Sequence, residues 1–151
     1  MSSYQNILLA IDLSAEADEV AARAASIRQA HGATLHLVHV IEPLSFAYGG
    51  DIPMDFSGIQ DEIQKQAESQ LQAFGDRHGI AREHQHLVMG RPESEVHALA
   101  EDLPADLIVL GSHGRSGLAL LLGSTANGVL HGAPCDVLAV RVGNGKRKKK
   151  K

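Results

Sequence analysis

The chain has 151 residues, 44% of them apolar, so one domain with a sizeable core is expected and disorder is not. Six of its 14 basic side chains crowd into Lys146, Arg147, Lys148, Lys149, Lys150 and Lys151, which leaves eight against 18 acidic ones, a charge of −10, over residues 1–145. A body this acidic, with 3% aromatics, repels a phosphate backbone and has few rings to stack on bases, which argues against nucleic acid as a partner.

The elements read as strands alternating with helices. Ile7-Leu8-Leu9-Ala10-Ile11 is a continuous apolar run, the pattern of a strand covered on both faces. Ser14 is positioned to cap the following helix, and Glu16, Asp18 and Glu19 place negative charge near its start. Ala17, Val20, Ala21, Ala24 and Ile27 recur at helical spacing until His31-Gly32 ends it. The second strand is Leu35 to Ile41. The segment from Glu42 to about Ser57 has no clear period and is long for a loop, as ordered lids often are. A second helix carries Ile59, Ile63, Ala67, Leu71 and Phe74 on one face and stops near Gly79.

The third strand, His84 to Met89, is less apolar and is expected at an edge. Gly90-Arg91-Pro92 turns into a short helix with Val96, Leu99 and Ala100 on its inner face and Pro92 at its first turn. Asp106 to Leu110 is the fourth strand, residues Ser124 to His131 a further helix, and Val137 to Val140 the fifth strand. This order predicts an α/β fold: a doubly wound, five-stranded parallel sheet, Rossmann-like, with helices on both faces and strand order 3-2-1-4-5. Ligands of such sheets sit beyond the carboxyl ends of the strands where the order reverses, which places the site at Asp12 and Gly111.

The most informative stretch is Gly111-Ser112-His113-Gly114-Arg115-Ser116-Gly117, followed by Gly123-Ser124-Thr125. Glycines let backbone N–H groups approach an anion, and a helix start adds free donors and a positive dipole end. Two readings stand open on spacing alone: a phosphate cradle, or a plain loop with Ser124 as an N-cap. No lysine follows the second glycine cluster as in a Walker loop. The dinucleotide fingerprint should follow the first strand, where the chain has Asp12-Leu13-Ser14.

Gly111 with Gly114, then Gly123-Ser124, resembles the ATP-binding pattern of the universal stress protein family: glycine, two residues, glycine, nine residues, glycine, then serine or threonine. The opening Ile7 to Ser14, the middle Leu37-Val38-His39-Val40, the Gly90-Arg91-Pro92 turn and the closing Ala133 to Val140 are similar to that family too, so the likeness covers residues 4–142. One departure is that eight residues, Arg115 to Leu122, separate Gly114 from Gly123, a shortened loop that keeps the glycines and Ser124.

The resemblance implies ATP, or a related adenine nucleotide, with Mg²⁺ held mainly by the phosphates. It implies that Ala10 and Asp12 lie beside the adenosine, with Asp12 accepting from a ribose hydroxyl. It also implies that Val40 offers its main chain to the adenine edge, and that Gly111 to Gly117 wrap ribose and phosphates. Ser124, Thr125 and Ala126 would meet the phosphates. Against this, Asp12 can be a second cap for the first helix, and the Val40 side chain reads as ordinary sheet core. The resemblance further implies a homodimer, and a regulatory protein partner by analogy. The apolar edge from Val137 to Val142, guarded only by Arg141, independently invites strand pairing.

His84 and His86 fall on one face of a strand, but two ligands make a weak metal site, and no metal is expected. His113 either contacts phosphate or points to solvent. Cys135, the lone cysteine, reads as buried packing and suits a reducing cytoplasm. No apolar run spans a bilayer and no secretory signal opens the chain. No nucleophile or paired-carboxylate constellation appears, so no efficient turnover is expected, and at most slow ATP hydrolysis. Two alternatives remain: an adenylyl- or pyrophosphate-transferring enzyme, for which Leu13-Ser14-Ala15-Glu16 lacks the phosphate loop, and a structural stress dimer that binds no nucleotide. The expected domain is residues 1–142, with a disordered basic tail at 143–151.

Overall fold

The computed structural model describes residues 3–43, 57–111 and 128–141. Five strands, β1 (Asn6–Ile11), β2 (Thr34–Ile41), β3 (Gln85–Met89), β4 (Leu107–Gly111) and β5 (Asp136–Val140), form one parallel sheet in the order β3-β2-β1-β4-β5. The helices are α1 (Ala17–His31), α2 (Ser57–Arg77) and α3 (Pro92–Asp102), and residues 128–130 are also helical. The expected fold class and strand order are those observed.

Alternation along each strand divides the core. Ile7, Leu9, Leu37, Leu107 and Val109 face α1 and α2, joined by Val20, Ala21, Ala24, Leu71 and Phe74. Leu8, Val38, Ile108 and Leu110 face the other way, onto Val96 and Ala100 of α3 and onto Val129. Because both faces are covered, β1 reads as an unbroken apolar run. Leu8, Leu9 and Ile108 are fully buried, each contributing about 1.5–3 kcal/mol by leaving water.

Three local expectations are corrected. Ser14 does not cap α1. The residue before the helix is Glu16, with no side-chain cap bond, and the Ser14 carbonyl accepts from the Ala17 N–H in a preceding turn. Ile59 and Ile63 do not join the core, being 51% and 37% exposed, whereas Ala67, Leu71 and Phe74 are buried. A helix of 21 residues is about 31 Å long and the five-residue β3 beside it about 17 Å, so β3 alone cannot cover all of α2, and the buried residues fall in its later turns. His84 is not in a strand; it ends a 3-10 turn, Arg82–His84, that leads into β3.

The Gly32 end of α1 is as expected. Gly32 has φ 66°, and both its N–H and that of Ala33 bond to the Arg28 carbonyl. Pro92 opens α3, where its missing N–H costs nothing. Strand β3 is an edge of the sheet and β5 is the other. Among the described residues no helix is long and apolar enough to cross a membrane. The tail from Gly143 lies outside the described residues.

Candidate functional site

β1 and β4 are hydrogen-bonded neighbours, with Ile7 beside Leu107 and Leu9 beside Val109. Continuing that register brings Ile11 level with Gly111, so both strands leave the sheet at one edge. The strand order reverses between them: β2 and β3 lie on one side of β1, β4 and β5 on the other. This is the crevice where a doubly wound sheet takes its ligand.

Asp12 is the first residue beyond β1 and is exposed. Its Oδ1 accepts from the Ser14 N–H at 3.0 Å. That bond closes a local turn and does not cap α1, so the capping role considered for Asp12 is not the one observed. Among the described residues Oδ2 has no hydrogen-bond partner. Leu13, between the two, has φ 61°, and is the one non-glycine residue with positive φ among those described. A left-handed leucine costs about 1–2 kcal/mol, and such strain persists where the surroundings hold it. Here Leu13 packs against the first core cluster.

Ala10 and Val40 are half-buried and their side chains pack against the second core cluster. The Val40 side chain is sheet core, as anticipated. Gly111 closes β4 and is half-buried. The remaining expected site residues, Ser112, His113, Gly114, Arg115, Ser116, Gly117, Gly123, Ser124, Thr125 and Ala126, lie outside the described residues. The structure thus brings Ala10, Asp12 and Gly111 to the ends of adjacent strands, with Val40 on the next strand over.

One residue of this edge escaped the sequence reading. His39 is half-buried on β2, and its Nδ1 lies 2.8 Å from the Ile11 carbonyl oxygen. A polar ring inside the run Leu37-Val38-His39-Val40 was the available signal.

The other histidines sort differently. His36 is 8% exposed and meets His84 edge to face, with His86 at a centroid distance of 6.0 Å. Burial, reinforced by the charges of His84 and His86, pushes the His36 imidazolium down to about 4. His86 is lowered for the same two reasons, burial and then His84. Among the described residues no three ligating side chains are arranged to hold a metal ion. Cys135 is half-buried against the second core cluster, and burial raises its thiol.

A model of the universal stress protein family matches residues 3–141. The chain belongs to that family. It is 45% identical over 139 residues to universal stress protein A homolog 1 of Coxiella burnetii, covering 91% of this chain and 96% of that one. Its fold is similar to that of the universal stress protein UspA from Lactobacillus plantarum, with TM-score 0.74 at 24% identity, covering 93% of this chain and all of that one. It is also similar to a universal stress protein solved in complex with cAMP, with TM-score 0.60 and 27% identity over 92% of this chain and 98% of that one. Membership accounts for motifs spread from Ile7 to Val140.

Proposed function

We propose that this universal stress protein binds an adenine nucleotide, ATP with Mg²⁺, in the crevice beyond β1 and β4, and acts by regulation rather than catalysis. The observation that carries the reading is the juxtaposition of an exposed carboxylate, Asp12, with the glycine that ends β4, at the reversal of strand order. Asp12 Oδ2 fits a ribose hydroxyl or a phosphate-bound cation; bare phosphate would repel it. Gly111 opens the glycine-rich stretch that would meet ribose and phosphates. The family member solved with cAMP lends support to the adenine-nucleotide class and makes cAMP the competing ligand.

The regulatory form in this proposal is a homodimer through β5 in the cytoplasm. Among the described residues β5 is paired on one side, with β4, and Val137 and Leu138 are half-buried while Ala139 is exposed. An open apolar edge recruits a second strand. A regulatory partner protein belongs to the same reading, by family analogy alone.

Mass spectrometry of the small molecules released on denaturing the purified protein tests the ligand. ATP at a stoichiometry near one per chain supports the reading. Protein that releases none, and binds none when ATP is added back, leaves a structural dimer.

A further inference from the structure

The Ile11 carbonyl is a pure acceptor, so the 2.8 Å contact with His39 requires that Nδ1 carry the proton. In the neutral ring Nε2 is then the bare nitrogen. The register pairs Ile11 of β1 with His39 of β2, so the bond crosses the sheet at the point where β1 ends. Each partner is the chain neighbour of an expected ligand contact: Ile11 precedes Asp12, and His39 precedes Val40. Beyond Ile11 the backbone turns through Leu13 at φ 61°, a conformation leucine resists. A side-chain donor on the carbonyl just before that turn restrains the peptide from which it starts.

We infer that His39 is a positioning residue of the nucleotide site: its Nδ1–H pins the end of β1 to β2 and so sets the distance and orientation between Asp12 and the Val40 main chain. The inference rests on the nucleotide reading for its ligand, but not for its bond. Without the donor, the Asp12–Leu13 turn relaxes and the two contacts no longer present themselves together.

The donor's place on the side chain makes the test specific. In asparagine the amide nitrogen is bonded to Cγ, as Nδ1 is in histidine, so His39→Asn keeps a donor at the same reach. His39→Gln moves the donor one bond further out, and His39→Leu removes it. Calorimetric titration with Mg-ATP should show His39→Leu and His39→Gln weakened by about tenfold, as for one lost part-buried hydrogen bond. His39→Asn should recover most of that loss. Far-UV circular dichroism and the thermal midpoint check that each variant is folded.

Leu and Gln variants that bind as tightly as the parent would overturn the inference, as would an Asn variant no better than Leu. A parent that binds no adenine nucleotide would refute the proposed ligand, and the positioning role is then read by nitrogen-15 NMR. The His39 ring should show a protonated Nδ1. The amide resonances of Asp12, Leu13 and Ser14 should shift in the Leu and Gln variants and stay near the parent positions in Asn. A ring protonated on Nε2 alone, or amides indifferent to all three substitutions, would contradict it.

Discussion

His36 and His84 meet edge to face with ring centroids 4.6 Å apart, a buried histidine of β2 against the last residue of the turn that feeds β3. The His36 Nδ1 and the His86 Nε2 are both buried without hydrogen-bond partners among the described residues. Burial disfavours a charge on His36 and His86, and His84 and His86 oppose protonation of His36 as His84 opposes that of His86.

Stability should therefore fall on mild acidification. His36 has its folded pKa lowered to about 4 from 6.5, so below 6.5 the unfolded chain binds the proton that the folded chain refuses. The stabilisation is complete above about pH 6.5 and is lost as the pH falls towards 4. For His36 alone the loss is at most about 3 kcal/mol. His86 acts in the same direction. Urea unfolding at a series of pH values checks this. His36→Leu should reduce the slope between pH 6.5 and 4 without abolishing it.

Gly32→Ala should cost about 1 kcal/mol. An added Cβ meets nothing within 4 Å, so the penalty is purely that of a left-handed residue at the end of α1. The unfolding midpoint in urea should drop with the m-value unchanged.

Ala139→Lys should yield a monomer in sedimentation velocity while leaving the fold intact. Ala139 is exposed in the single chain, and a lysine on an open strand edge blocks pairing with another strand. A dimer insensitive to this change would place the interface elsewhere.

Much of the fold was legible because the signals were redundant. Ile7, Leu8, Leu9 and Ile11 and the residues Leu107 to Leu110 are buried on both faces of the sheet, and the alternation of elements restricts topology to a few choices. What was not legible depends on lengths and on distant partners. Ile59 and Ile63 follow the helical period of Ala67 and Leu71, yet the period does not say which turns of a helix longer than β3 are covered. Ser14 is a plausible cap by type, but the Asp12–Ser14 turn consumes the residues before α1. At the site, Asp12 and Gly111 were legible as strand ends. The His39–Ile11 contact was not, because the partner is 28 residues away and is recognised only once β1 and β2 are in register.

The most direct measurement is calorimetric titration of nucleotide-free protein with ATP and Mg²⁺. The account predicts saturable binding at one site per chain. Asp12→Ala should bind about tenfold more weakly, as for one lost charge-assisted hydrogen bond. By the family motif, Gly114→Val should lose most binding, since a branched side chain would occupy space the phosphates need. No heat from the parent protein at millimolar ATP would contradict the account, as would equal affinity for the parent, Asp12→Ala and Gly114→Val.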